Sequence, residues 1–229
     1  MPTIVFASPK GGAGKSTAAV LLGTELAAKG GNVTIIDADP NRPVSRWAKR
    51  PNKPSSLSVV ADVTEETIIP QIEAAAARSA FVIVDLEGTA SMTVGFALSR
   101  ADLVIIPTKG SMLDAAEAVK AIRLLRAQEQ AFRRKIPATI LFTQTNPAIR
   151  PRTLRHIETQ FEGSDVPVLK THLFERDAYR AVFMFGGGVS NLDPAEVSNI
   201  KTAKANAESF MREVVACLKA QPSPLAEVA

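Results

Sequence analysis

A single cysteine, Cys217, stands among the 229 residues. That excludes an internal disulfide and any cysteine-based zinc or iron–sulfur centre, and it suits a reducing, cytoplasmic compartment. No apolar run approaches the roughly 20 residues a membrane-spanning helix needs. No charged N-terminal segment leads into an apolar stretch with a cleavage site, so the expectation is a soluble, unsecreted protein. Internal repeats and low-complexity tracts are absent. Aromatic residues make up only 5%, with one Trp and one Tyr. Trp47, alone between several basic residues and three prolines, reads as the anchor of a short helix on the core rather than a base-stacking side chain.

Acids are scarce in one span. Nine basic residues lie between Lys120 and Arg155 against one acid, Glu129, so this stretch carries +8 while the whole chain carries only +4. Such asymmetry points to a polyanionic partner. Two groups stand out: Arg133, Arg134 and Lys135 close a long helix, and Arg150, Arg152 and Arg155 open the next. The first group also complements the helix dipole and needs no ligand, whereas cations at a helix start oppose the dipole and favour a functional reading.

What is present is enough for one substantial core. With 46% apolar residues, the expectation is a single domain over 1–220 followed by a disordered tail, 221–229. Short apolar runs (3–7, 32–37, 57–60, 80–85, 101–108, 138–143 and 166–170) alternate with helical patterns at 16–29, 65–78, 113–134 and 194–219. That alternation describes an α/β fold, a mostly parallel twisted sheet flanked by helices on both faces. The long helix is expected to bury Ala116, Val119, Ile122, Leu125 and Ala127. The last helix mixes acids with bases on its polar face, which favours core packing over a lipid surface, so no stable membrane association is expected.

The informative stretch is Ser8-Pro9-Lys10-Gly11-Gly12-Ala13-Gly14-Lys15-Ser16-Thr17, between the first strand and the first helix. Glycines let successive backbone N–H groups converge on one concavity, and the helix start adds unpaired donors and the positive end of its dipole. Residues 10–17 thus form a polyphosphate cradle, with Lys15 reaching the β- and γ-phosphates and the Ser16 hydroxyl available to Mg²⁺. Pro9 occupies the place usually held by the first glycine, and Lys10 is an extra lysine inside the loop. Two further strands end on acids: Asp37, followed by Asp39-Pro40, and Asp85. The carboxyl edge of a parallel sheet is where such folds bind ligands. An acid closing a strand beside a phosphate loop holds Mg²⁺ through water. Asp39 also suits the plain task of capping a turn before Pro40. Glu87, two residues past Asp85, is unexpected, since an acid near a terminal phosphate repels it unless turned away or paired.

The Lys-Gly-Gly-Ala-Gly-Lys-Ser string resembles the deviant P-loop of the ParA/MinD family, which includes the plasmid and chromosome partition ATPases and the Min-system ATPase. The resemblance runs over about residues 1–219 and is closest to the short partition ATPases. It implies that Lys10 crosses a dimer interface to the neighbour's nucleotide, that Asp37 assists the magnesium shell, and that Asp39 orients the attacking water. It further implies ATP and Mg²⁺ as cofactors, a homodimer when ATP is bound, and binding of double-stranded DNA without base specificity in the nucleoid. Hydrolysis would then be stimulated by a DNA-bound, centromere-binding partner. The segment from Phe174 to Tyr179 resembles one that shapes the dimer and nucleotide edge in partition ATPases, and residues 144–147 one that contacts the purine. A Min-type membrane-positioning ATPase, a plasmid-transfer accessory ATPase and a metabolic ATP-dependent ligase share this fold and remain alternatives.

Overall fold

The computed structural model describes residues 1–88 and 91–220; the expected tail, and Thr89 and Ala90 of the segment after Asp85, lie outside them. Seven strands form one sheet: β1 (Thr3–Phe6), β2 (Val33–Ala38), β3 (Leu57–Val60), β4 (Phe81–Leu86), β5 (Leu103–Thr108), β6 (Ala138–Thr145) and β7 (Leu173–Phe174). Their order is β3-β2-β4-β1-β5-β6-β7, and every pairing is parallel. The helices are α1 (Lys15–Ala28), α2 (Pro43–Ala48), α3 (Ile68–Arg78), α4 (Met92–Ser99), α5 (Met112–Phe132), α6 (Arg152–Glu162), α7 (Asp177–Phe185) and α8 (Ile200–Lys219).

Strand alternation builds two cores. Ile4, Phe6, Ile35, Ile83 and Ile105 face α1, α2, α7 and α8, while Val5, Ile36, Val84, Val104 and Ile106 face α3 to α6. Because both faces are covered, the central strands are apolar throughout. The same alternation decides where the acids go. Asp37 and Asp85 are register partners at the ends of β2 and β4, and each lies two residues past an isoleucine of the α1 face. They therefore point to the side where α1 begins.

Four expectations need correction. Residues 166–170 form no strand: Val168 makes an isolated bridge to Ile140, because Pro167 has no N–H to give the ladder, and the edge strand is β7. On α5 the buried stripe is Ala115, Ala118, Ala121 and Leu125, with Ala116, Val119 and Ala127 exposed. Leu125 is buried as expected and Ile122 packs partly buried beside it, while alanines let the rest of this face lie close to the sheet. α3 starts at Ile68 rather than Glu65, after a turn in which the Thr67 amide bonds the Thr64 carbonyl. α8 starts at Ile200 rather than Pro194, although Val197 is buried in the same core. Trp47 does anchor α2: it is 1% exposed and donates its indole N–H to the Gly187 carbonyl at 3.0 Å.

Candidate functional site: a phosphate cleft at the carboxyl edge of the sheet

β1 delivers the loop at the middle of the sheet, and α1 leaves from it. Gly12 and Gly14 sit at φ 73° and 91°, left-handed values that glycine adopts without strain. Gly14 is also pressed against β6: a Cβ there would lie 3.3 Å from the Thr143 side chain. Thr143 braces the loop by donating its hydroxyl to the Ala13 carbonyl at 2.7 Å, and the Gln144 side chain donates to the Gly12 carbonyl at 3.2 Å. These braces come from about 130 residues away in sequence and no local pattern reveals them.

The Lys15 side chain is nearly buried and turns back on the loop, donating to the Ser8 and Lys10 carbonyls at 3.3 Å each. Burial lowers its pKa, while Asp85, Asp39 and Glu87 pull the other way. Both bonds are long, and phosphate oxygens would make better acceptors for a charged amine. Lys10, half exposed, donates to Asp114 Oδ1 at 2.5 Å. Asp114 in turn accepts from the Ser111 hydroxyl, and the Lys10 contact helps hold its carboxyl below the usual range despite burial. The lysine expected to cross a dimer interface is thus held within its own chain here.

The acids differ in their environments. Asp85 is fully buried, and neither of its carboxylate oxygens has a hydrogen-bond partner among the described residues. Burial pushes its pKa up to about 7, with the Ser16 hydroxyl opposing the shift. Asp37 accepts at Oδ2 from the backbone and hydroxyl of Ser45, both at 2.6 Å, so it also ties α2 to the sheet. Its Oδ1 is unpartnered among the described residues, and burial raises its pKa as well. Orphaned buried carboxylate oxygens beside a phosphate loop are what a hydrated Mg²⁺ would satisfy, so Ser16, Asp37 and Asp85 fit that ion. Asp39 accepts at Oδ1 from the Asn41 amide and side chain at 2.8 and 3.1 Å. It caps the turn and still lines the cleft.

That cleft, about 420 Å³, is lined by residues 11–17, Asp39, Pro40, Asn41, Glu87, Gly88 and Gln144. A second pocket of about 380 Å³ opens beside it, walled by Thr143, Gln144, Phe174, Arg176, Tyr179 and Phe183. Together they give a polyphosphate trough next to a more apolar chamber of a size for a nucleoside.

The basic residues do not gather in one place. α5 runs away from the carboxyl edge, so Arg133, Arg134 and Lys135 lie at the opposite edge of the sheet from the cleft. Two of them are engaged locally: Arg134 donates to the Ala101 carbonyl and Lys135 pairs with buried Glu129. Arg133 takes the left-handed cap of α5 at φ 50°. Arg150, Arg152 and Arg155 follow β6, on the carboxyl side of the sheet, and none of them lines the cleft or the chamber. Arg150 pairs with buried Glu158 at 2.5 Å, whereas Arg152 and Arg155 are exposed and in no ion pair among the described residues.

Comparison with known proteins agrees with this fold. The family model described as VirC1 protein matches residues 1–220. Protein ParA of Rhizobium radiobacter is 43% identical over 210 residues, covering 92% of this chain and 94% of the relative. Among solved structures, McdA of Cyanothece in its ATP complex superposes with a TM-score of 0.73 at 15% identity, over 94% of this chain and 96% of that one. The MinD cell division protein of Aquifex aeolicus gives 0.71 at 18%, over 98% and 99%. The chain belongs to the VirC1 family, within the ParA/MinD group of P-loop ATPases.

Proposed function

We propose that this chain is an ATPase of DNA partition, in which ATP with Mg²⁺ closes a two-fold dimer that grips duplex DNA without reading its sequence. The observation that carries the reading is the 43% identity to a ParA across nearly the whole of both chains, on a chain whose phosphate cleft is lined by Lys15, Ser16 and Asp39. The Gly11–Thr17 amides bind the phosphates, and Lys15 exchanges two long carbonyl bonds for phosphate oxygens. Ser16, Asp85 and Asp37 would hold Mg²⁺, which supplies charge neutralisation and a fixed orientation for the terminal phosphate when bound. Asp39, with Oδ1 fixed by Asn41, presents its other oxygen to a water. Lys10 must leave Asp114 to reach the nucleotide of a second copy.

The apolar face of α8 is spent inside the chain: Ala207, Phe210 and Val214 are fully buried against the core that includes α1. No described helix is long and apolar enough to cross a membrane. The burial of the α8 face favours a nucleoid-bound role over a Min-type membrane role. The test is ATP turnover of the wild type and of Lys15→Ala, each with and without duplex and a DNA-bound partner. The account expects turnover that rises with duplex or partner and vanishes in the variant. Normal binding and hydrolysis by Lys15→Ala would refute it.

A further inference from the structure

Glu87 has no place in the chemistry above, yet it lines the phosphate cleft. The cleft and the nucleoside-sized chamber share Gly14, Thr17 and Gln144, while Asp39, Glu87 and Gly88 line the cleft and not the chamber. A nucleotide with its base in the chamber therefore runs along the loop and ends its phosphate chain toward Glu87. The segment is pressed onto the loop: a Cβ on Gly88 would lie 3.1 Å from the Gly11 amide nitrogen and 3.2 Å from the Lys10 carbonyl carbon. The charge of Glu87 also reaches the Lys15 amine, whose proton it helps to hold. Glu87 is half-buried and makes no hydrogen bond or ion pair among the described residues.

The same side chain lines a second cavity, about 180 Å³, enclosed by Val94 and Leu98 of α4, Leu125 of α5 and the sheet, with Lys120 at its wall. Lys120 now pairs with Glu117 at 2.8 Å, a contact between side chains 64% and 28% exposed. Exposed pairs of this kind contribute little, so Lys120 changes partner at small cost.

We propose that Glu87 is a specificity-determining residue of the cleft: it disfavours a nucleoside triphosphate against a diphosphate until its carboxylate turns to the Lys120 ammonium beside the α4–α5 cavity. This deepens the nucleotide reading and rests on it. A third phosphate brings negative charge up to an acid whose segment lies against the loop, whereas a diphosphate stops short. Exchange to Lys120 relieves the repulsion and places the report of a terminal phosphate on α5, the helix that also carries Asp114, the partner of Lys10.

The test measures affinity of the full chain for ADP and for a non-hydrolysable ATP analogue by titration calorimetry, with and without Mg²⁺. Glu87→Gln is expected to tighten the analogue about tenfold and leave ADP unchanged, a coupling of ordinary size. Lys120→Met is expected to weaken the analogue alone, and to have no effect in the Glu87→Gln background, as a double-mutant cycle requires for a shared interaction. An unchanged analogue-to-ADP ratio in Glu87→Gln would overturn the inference. So would a loss of analogue affinity confined to Mg²⁺, which would make Glu87 a metal-shell group, or a Lys120→Met effect that survives without Glu87. A wild-type chain that binds neither nucleotide would overturn the function proposed above as well.

Discussion

Asp85 is buried at a cost, because neither oxygen of this fully buried carboxylate has a hydrogen-bond partner among the described residues to replace its lost water. Its pKa near 7 lies far above the ordinary value for an aspartate. A raised folded-state pKa contributes stability that is complete below about pH 4 and disappears as pH rises through about 7. The nucleotide-free chain should therefore melt at lower temperature at pH 8 than at pH 5. Asp85→Asn should flatten that slope and raise the pH 8 melting point by about 2–4 °C for each kcal/mol recovered, while weakening Mg²⁺-dependent nucleotide binding. A calorimetric pH series on both proteins checks this; parallel slopes would show that Asp85 is not the cause. Glu129 is the opposite case. Although 7% exposed, it accepts from the Ile136 amide at 2.8 Å and pairs with Arg126 and Lys135, which together hold its carboxyl below the usual range against the effect of burial. Glu129→Gln should cost about 1–3 kcal/mol at pH 7 in urea unfolding. A depressed pKa means the contribution is lost as pH falls through the folded value, so the gap between the two proteins should narrow below about pH 4.

At the scale of elements, the phosphate loop and the strands ending on Asp37 and Asp85 were legible because their signals are local: glycines beside lysines, and an apolar run closed by an acid. The braces of the loop were not. Thr143 and Gln144 meet Ala13 and Gly12 across the sheet, and Asp114 meets Lys10 from 104 positions away. The inner face of α5 was misread because its contacts with the sheet are made by alanines, which periodicity weights less than the outward Val119. Residues 166–170 have strand composition but only one bridging position, and the true edge strand, Leu173–Phe174, is too short to show a period. α2 illustrates how a six-residue element survives: Ser45 is held by Asp37 and Trp47 by Gly187. Trp47→Ala should cost about 3–5 kcal/mol in denaturant unfolding. A loss below about 1 kcal/mol would mean that the Asp37 contacts alone secure the helix.

For the whole molecule, the parallel topology separates the two basic groups that lie within one span of sequence. Arg134 and Lys135 fasten the far end of α5 to Ala101 and Glu129, while Arg152 and Arg155 stand on the carboxyl side of the sheet, exposed and in no ion pair among the described residues. Replacing Arg152 and Arg155 by Ala should weaken duplex binding equally across sequences and reduce the salt slope by about 2. Arg134→Ala should lower stability and leave that slope unchanged. Anisotropy titrations of several unrelated duplexes at a series of salt concentrations separate these outcomes. The central claim, that a triphosphate around Lys15 toggles association and grip on DNA, is tested most directly by retention on duplex DNA with ATP and Mg²⁺, with ADP and Mg²⁺, and without nucleotide, at two salt concentrations. The account predicts retention with ATP alone that falls steeply at the higher salt; equal retention under all three conditions would contradict it.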